Sequence, residues 1–231
     1  MKSPITEIFT SIQGEGLFVG ERQIFIRFAG CNLKCDYCDT KNSLRVNELT
    51  SERVLNKIKT LKKGKIHSVS LTGGEPLLHA DFLQGLLPQM KKMGLKTYLE
   101  TNGTLPEELK KIIKMTDYVA MDIKLPSAGN PACWEKHRAF LEVLNNSYIK
   151  PGDFFVKIVL TSKTRAAEIK KAVSIIAGVS RYIPLVLQPV TPISTVRNIV
   201  PKNIFAFQNQ ALDCLAVVKV IPQMHKILGV R

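Results

Sequence analysis

The sequence predicts an α/β fold built on a largely parallel sheet, and three observations predict it. Short apolar, β-branched segments alternate with longer amphipathic ones, which is the pattern of repeated βα units. Six segments read as strands, enough to curve a sheet most of the way round a barrel. Most glycines and out-of-pattern polar residues (Gly30, Gly73-Gly74, Asn102-Gly103) and Pro189 directly follow those strands. Parallel α/β architectures place their binding sites at the carboxyl ends of strands, so function is expected there.

Taken in order, the strands fall at residues 23–28 (QIFIRF), 68–71 (SVSL), 97–100 (TYLE), 118–123 (YVAMDI), 154–160 (FFVKIVL) and 184–188 (PLVLQ). Helices fit between and after them, at 51–63, 80–93, 106–115, 134–145, 165–177 and 203–217. Ser51 before Glu52 reads as the cap of the first. A short apolar run at 217–221 adds a final strand, and the proline-spaced stretch 190–202 reads as a long loop. No repeat, low-complexity stretch or flexible linker interrupts the chain, so its 231 residues are expected to form a single domain, 1–231.

With 45% hydrophobic and 23% charged residues the composition excludes a disordered or collagen-like chain. No apolar run reaches the roughly 20 residues of a membrane span, and the start MKSPITEIFTSIQGEG lacks a secretory core, so a cytoplasmic protein with no membrane partner is expected. The charge is strongly basic, 33 Lys and Arg against 19 Asp and Glu for a net +14. However, it lies in segments such as 57–65 (KIKTLKKGK) and 109–115 (LKKIIKM), where Lys alternates with apolar residues as on a solvated helix face. No interleaved aromatics offer a stacking platform, so no nucleic-acid partner is expected, and the charge suits a small anionic substrate.

Of five cysteines, Cys31, Cys35 and Cys38 fall within eight residues directly after the first predicted strand, whereas Cys133 and Cys214 stand alone beside helical sequence and read as packing residues. An odd count argues against a disulfide framework. Three thiolates supply three corners of an iron–sulfur cluster and leave one iron open to a small molecule. A closed zinc site is the competing reading, with Asp36 or Asp39 as a poorly spaced fourth ligand.

The spacing C-x3-C-x2-C with Tyr37 before the last thiol resembles the motif of radical S-adenosylmethionine enzymes, and Thr72-Gly73-Gly74-Glu75-Pro76 resembles their GGEP motif. The segments SIQGEG (11–16), Arg27, Asp39-Thr40, ETNG (100–103) and QMHKILG (223–229) further resemble the 7-carboxy-7-deazaguanine synthase family, end to end of the chain. That resemblance implies a partial (β/α)6 TIM-like barrel of the radical S-adenosylmethionine type. It also implies a [4Fe-4S] cluster on Cys31, Cys35 and Cys38, with S-adenosyl-L-methionine chelated at its open iron. The implied reaction is ring contraction of 6-carboxy-5,6,7,8-tetrahydropterin to 7-carboxy-7-deazaguanine with loss of ammonia, on the route to queuosine. A 5′-deoxyadenosyl radical would take the C6 hydrogen and later recover it, so that the cofactor is not consumed.

Residue by residue, the resemblance implies that Ile12, Gln13, Gly14 and Glu15 read the pterin edge. Arg27 would pair with the substrate carboxylate as a planar fork, and Thr72, His225 and Arg231 would also contact substrate. It places Mg2+ on Thr40. It assigns the cofactor to Tyr37, Asp39, Gly74, Glu75, Glu100, Asp122, Ile123, Lys124 and Gln188, although some relatives carry Ser-Pro-Lys where this chain has Asp122-Ile123-Lys124. A homodimer and an electron donor such as a flavodoxin are implied as partners, whereas His79 reads as structural. Two rival readings are an activase that installs a glycyl radical on a partner protein, and a basic metal-knuckle RNA-binding protein. The first leaves QGEG, Arg27 and QMHK without a use, and the second leaves GGEP and ETNG unexplained.

Overall fold

The structure, a computed structural model, describes residues 1–38, 45–192, 197–199 and 201–230, apart from the Pro201 side chain. Among them a single nine-stranded sheet runs in the order β3-β1-β2-β4-β5-β6-β7-β8-β9. Its parallel part comprises β2 (Arg22–Phe28), β4 (Ser68–Gly73), β5 (Thr97–Thr101), β6 (Tyr118–Asp122), β7 (Phe154–Leu160), β8 (Leu185–Pro189) and β9 (Val218–Val220). β9 does not pair back to β2, so the barrel is open. The six predicted strands and the final apolar run are all present.

Two strands escaped prediction. β1 (Lys2–Ile12) pairs antiparallel with β2, and β3 (Asn47–Thr50) pairs antiparallel with β1, together forming a ribbon on the first edge of the sheet. β1, KSPITEIFTSI, breaks the two-residue alternation where its register shifts between Ile5 and Glu7, and β3, NELT, has almost no apolar signal.

Helices α1 (Ser51–Leu61), α2 (Ala80–Lys92), α3 (Pro106–Ile112), α4 (Trp134–Asn145), α5 (Ala166–Val179), α6 (Pro201–Leu212) and α7 (Met224–Leu228) complete the chain. The cap of α1 is Thr50, not Ser51: its hydroxyl accepts from the Arg53 amide at 3.3 Å. α6 starts two residues early, with Pro201 in the first turn where its missing N–H costs nothing. It also ends at Leu212 instead of 217, because the chain must turn there for Val218 to pair with Leu185. None of the helices among the described residues is long and apolar enough to cross a membrane.

Strand alternation builds the site. Outward-facing residues such as Ile24, Ile26, Val69, Leu71, Leu99, Val119, Met121, Val156, Ile158 and Leu187 join the helices in the main core. Inward-facing Tyr98, Tyr118, Ala120, Phe155 and Val186 form a second cluster that Leu17 and Phe18 plug from one end. Two residues further along several of those strands the same inward face turns polar: Tyr98 is followed by Glu100, Ala120 by Asp122, Phe155 by Lys157, Val186 by Gln188, and on β2 Phe25 by Arg27. An apolar floor therefore supports a ring of polar groups at the carboxyl ends of the strands.

Candidate active site

That ring lines a pocket of about 430 Å3, within the ordinary range for a small-molecule site. Two loops contribute walls to it, the cysteine loop after β2 and the QGEG loop after β1.

Backbone contacts of unusual closeness fix the cysteine loop. Gly74 donates its amide to Phe28 O at 3.0 Å, and Glu75 donates to Gly30 O at 2.8 Å. A Cβ at Gly74 would lie 1.7 Å from that Gly30 oxygen, so only glycine lets the two loops meet. Further along, Asp36 N donates to Ala128 O at 2.9 Å, and Lys34 N donates to Asn130 Oδ1 at 3.1 Å. Asn130 Nδ2 is thereby turned toward Cys35 Sγ, to which it donates at 3.1 Å.

Cys31, Cys35 and Cys38 are all free thiols on the pocket wall. Among the described residues no three His, Cys, Asp or Glu side chains converge as a single-ion site requires. Three thiols spread along one wall suit a cluster in which each binds a different iron.

Glu75 stands behind this wall. Fully buried, its Oε1 accepts from Leu77 N at 3.1 Å and Thr101 Oγ1 at 2.8 Å, and its Oε2 from Asn102 N at 2.7 Å. Burial pushes its carboxyl up to about 7, and these neutral donors offset only part of the rise. Asn102 extends the link by donating to Asn32 Oδ1 at 2.8 Å, beside the first thiol.

The QGEG wall is charged. Glu15 accepts from Lys157 Nζ on one oxygen and from Gln223 Nε2 at 2.7 Å on the other. Lys157 also pairs with Asp122 at 3.3 Å, and Asp122 with Lys124 at 2.7 Å, giving an alternating chain of two carboxylates and two ammoniums. Burial would raise the Glu15 carboxyl, but the Lys157 charge and the hydrogen bonds from Gln223 and Gln188 hold it down to about 2. Burial would lower Lys157, but Glu15 and Asp122 keep it above the ordinary lysine value.

Arg27 donates to Glu7 at 2.8 Å and lies over the Phe9 ring, while Glu100 accepts from Gln13, Ser70 and Thr72. Three polar atoms of this ring, Arg27 Nε, Asp122 Oδ1 and Gln188 Oε1, are buried with no hydrogen-bond partner among the described residues. The open donor of Arg27 suits an anionic group, and the two open acceptors of Asp122 and Gln188 suit cationic or N–H groups.

The sequence profile of the Radical SAM superfamily matches residues 25–172. A 7-carboxy-7-deazaguanine synthase of Geobacter sulfurreducens is 41% identical over 97% of this chain and 96% of its own length. One from Archaeoglobus fulgidus is also 41% identical, over 100% of both chains. The chain belongs to the 7-carboxy-7-deazaguanine synthase family. Among solved structures, that of Escherichia coli QueE is similar in fold, with a TM-score of 0.66 at 23% identity over 97% of this chain and 95% of that one. Streptococcus suis SuiB bound to S-adenosylmethionine aligns with a TM-score of 0.60 at 18% identity, covering 83% of this chain and 48% of that one.

Of the residues that likeness to the synthase family singles out, Ile12, Gln13, Gly14, Glu15, Arg27, Thr72 and His225 line the pocket together with Tyr37, Gly74, Glu100, Asp122, Lys124 and Gln188. Gln13 lines it with its amide already committed to Gln23, Glu100 and the Glu15 backbone. His225 lies against Gly14, where a Cβ would come 2.3 Å from its Nδ1. Glu75 and Ile123 do not reach the pocket: Glu75 is bound up behind the wall, and Ile123 faces the main core. Asp39, Thr40 and Arg231 lie outside the described residues. Sequence reasoning missed Lys157 and Gln223 as pocket residues. Lys157 carried a signal, a lone charge inside FFVKIVL, of the same kind that marked Arg27 in QIFIRF.

Proposed function

We propose that this chain is a radical S-adenosylmethionine lyase. It converts 6-carboxy-5,6,7,8-tetrahydropterin to 7-carboxy-7-deazaguanine and ammonia, on the route to queuosine. One observation carries the reading: the three-thiol loop and the QGEG wall with Arg27 open into the same chamber, so a cofactor on the first and a heterocycle on the second would meet. A [4Fe-4S] cluster held by Cys31, Cys35 and Cys38 with S-adenosylmethionine supplies the one-electron, hydrogen-abstracting chemistry that no side chain provides.

The chain's own residues position and shield. Arg27, anchored by Glu7 on one nitrogen, keeps its Nε for a carboxylate. Glu15, held ionised, accepts from the N–H groups of a pterin edge, and Gln13 orders the Glu15 backbone from below. Asp122 and Gln188 offer their open oxygens to the cofactor's cationic groups. The apolar floor of Tyr98, Ala120 and Phe155 excludes water beneath a flat ring. The same reading gives Thr40 to Mg2+ beside the substrate carboxylate, with Asp39 toward the cofactor and Arg231 toward the substrate. It also makes the protein a cytoplasmic homodimer reduced by a carrier such as a flavodoxin; family likeness supports these assignments.

Anaerobic incubation of the reconstituted protein with dithionite, S-adenosylmethionine, Mg2+ and the pterin tests the proposal. Formation of the deazaguanine, followed by ultraviolet absorbance and mass, is expected without net loss of S-adenosylmethionine. Release of 5′-deoxyadenosine with no product would keep the radical chemistry and discard the substrate.

A further inference from the structure

Lys157 is the one residue that touches both ends of the charged wall. From the middle of β7 it reaches Glu15 on the QGEG loop on one side and Asp122 at the end of β6 on the other. Its side chain is 13% exposed and lies between two carboxylates, and without it Glu15 would keep, among the described residues, the neutral amides of Gln223 and Gln188 as hydrogen-bond partners. We infer that Lys157 is a positioning residue for pterin recognition, holding Glu15 as an oriented carboxylate acceptor. This inference rests on the functional reading above.

Glu75 shows what this protein does to a buried glutamate that has only neutral donors, a carboxyl pushed up to about 7. Removing the Lys157 ammonium moves Glu15 toward that situation, with its side chain 20% exposed to the pocket and amide donors left among its described partners. Lys226 lines the same pocket, and among the described residues the side chains that hydrogen-bond Glu15 besides Lys157 are neutral amides. Gln188 faces it from β8 and Gln223 from the segment before α7. His225 of α7 packs on neighbouring Gly14. Beyond Lys157 stand Asp122 and Glu100, both acidic, and Lys124, which is already paired with Asp122. Protonation would turn one acceptor oxygen of Glu15 into a donor and remove the charge that strengthens its bonds to pterin N–H groups, so ligand affinity would then follow its titration.

The test is anaerobic calorimetric titration of the reconstituted protein with 7-carboxy-7-deazaguanine at a series of pH values from about 5.5 to 8.5, spanning the range in which a buried carboxyl near neutrality titrates. Wild type is expected to bind with little pH dependence. Lys157→Met should lose about tenfold in affinity for each pH unit below neutrality and recover in base, and Lys157→Arg should restore the flat profile. Glu15→Gln should bind weakly at every pH, and adding Lys157→Met to it should change nothing further.

A Lys157→Met profile as flat as wild type, or a slope that persists in the double variant, would overturn the inference alone. Failure of wild type to bind would overturn the functional reading and the inference with it. Should Lys157→Met alone not fold, the double variant decides: restored folding supports the coupling, and an equally unfolded double variant overturns it.

Discussion

Two walls of one pocket each carry a glutamate, one fully buried and one lining the chamber, and they treat it in opposite ways. Behind the cysteine loop, Glu75 accepts from two backbone amides and a threonine hydroxyl, and burial drives its carboxyl up to about 7. On the other wall, Glu15 meets the Lys157 ammonium and two amide side chains and is held down to about 2 despite partial burial. The first arrangement ties β4, β5 and the GGEP turn together and turns no polar atom of Glu75 to the pocket. The second places a permanent charge on the pocket surface. Scaffold and recognition surface are thus distinguished by their partners, though the residue type is the same.

The largest effects should break the scaffold side. Cys35→Ala is expected to remove cluster binding and all turnover, measured as iron and sulfide content and product formed after reconstitution; retained activity would refute the thiol assignment. Gly74→Ala comes next, because its Cβ would sit 1.7 Å from the Gly30 carbonyl oxygen. It should cost about 3 kcal/mol or more in urea unfolding and lower the iron content, since the cysteine loop cannot keep its place.

Glu75→Gln should follow at about 1–3 kcal/mol, because an amide offers one acceptor oxygen where the carboxylate uses two. Its pH dependence sharpens the contrast. The folded Glu75 carboxyl lies at about 7, above the ordinary glutamate value of 4.5, so the folded state binds that proton more tightly than the unfolded one. The stability so gained is complete below about 4.5 and is lost as pH rises through about 7. The gap between wild type and Glu75→Gln should therefore narrow across that window, whereas a Glu15 contribution, of opposite sign, is lost only as pH falls toward about 2. A gap that widens with pH would contradict the assignment. Smallest of all, Thr50→Ala removes the α1 cap far from both walls and should cost about 1 kcal/mol with no change in cluster content.

The parallel strands were legible because burial on both faces leaves nearly unbroken apolar runs, such as YVAM in β6 and FFV and IVL in β7. Arg27 stood out for the converse reason, as a charge inside such a run. Lys157 showed the same mark in β7 and became meaningful only when Glu15, 142 residues earlier, came into contact with it. Non-local pairing likewise hid the antiparallel ribbon, whose strands are recognisable by their partner more than by their own residues. Gly74 meets the Gly30 backbone, a contact between two loops that neither segment announces.

The most direct test of two separable walls is to compare Glu15→Gln with Cys35→Ala, after reconstitution under dithionite with S-adenosylmethionine and the pterin, scoring 5′-deoxyadenosine and deazaguanine separately. Glu15→Gln should keep its cluster and still release 5′-deoxyadenosine while its deazaguanine yield collapses, and Cys35→Ala should lose both. If Glu15→Gln, with its iron intact, lost cofactor cleavage and product together, or lost neither, the division between scaffold and recognition wall would be contradicted.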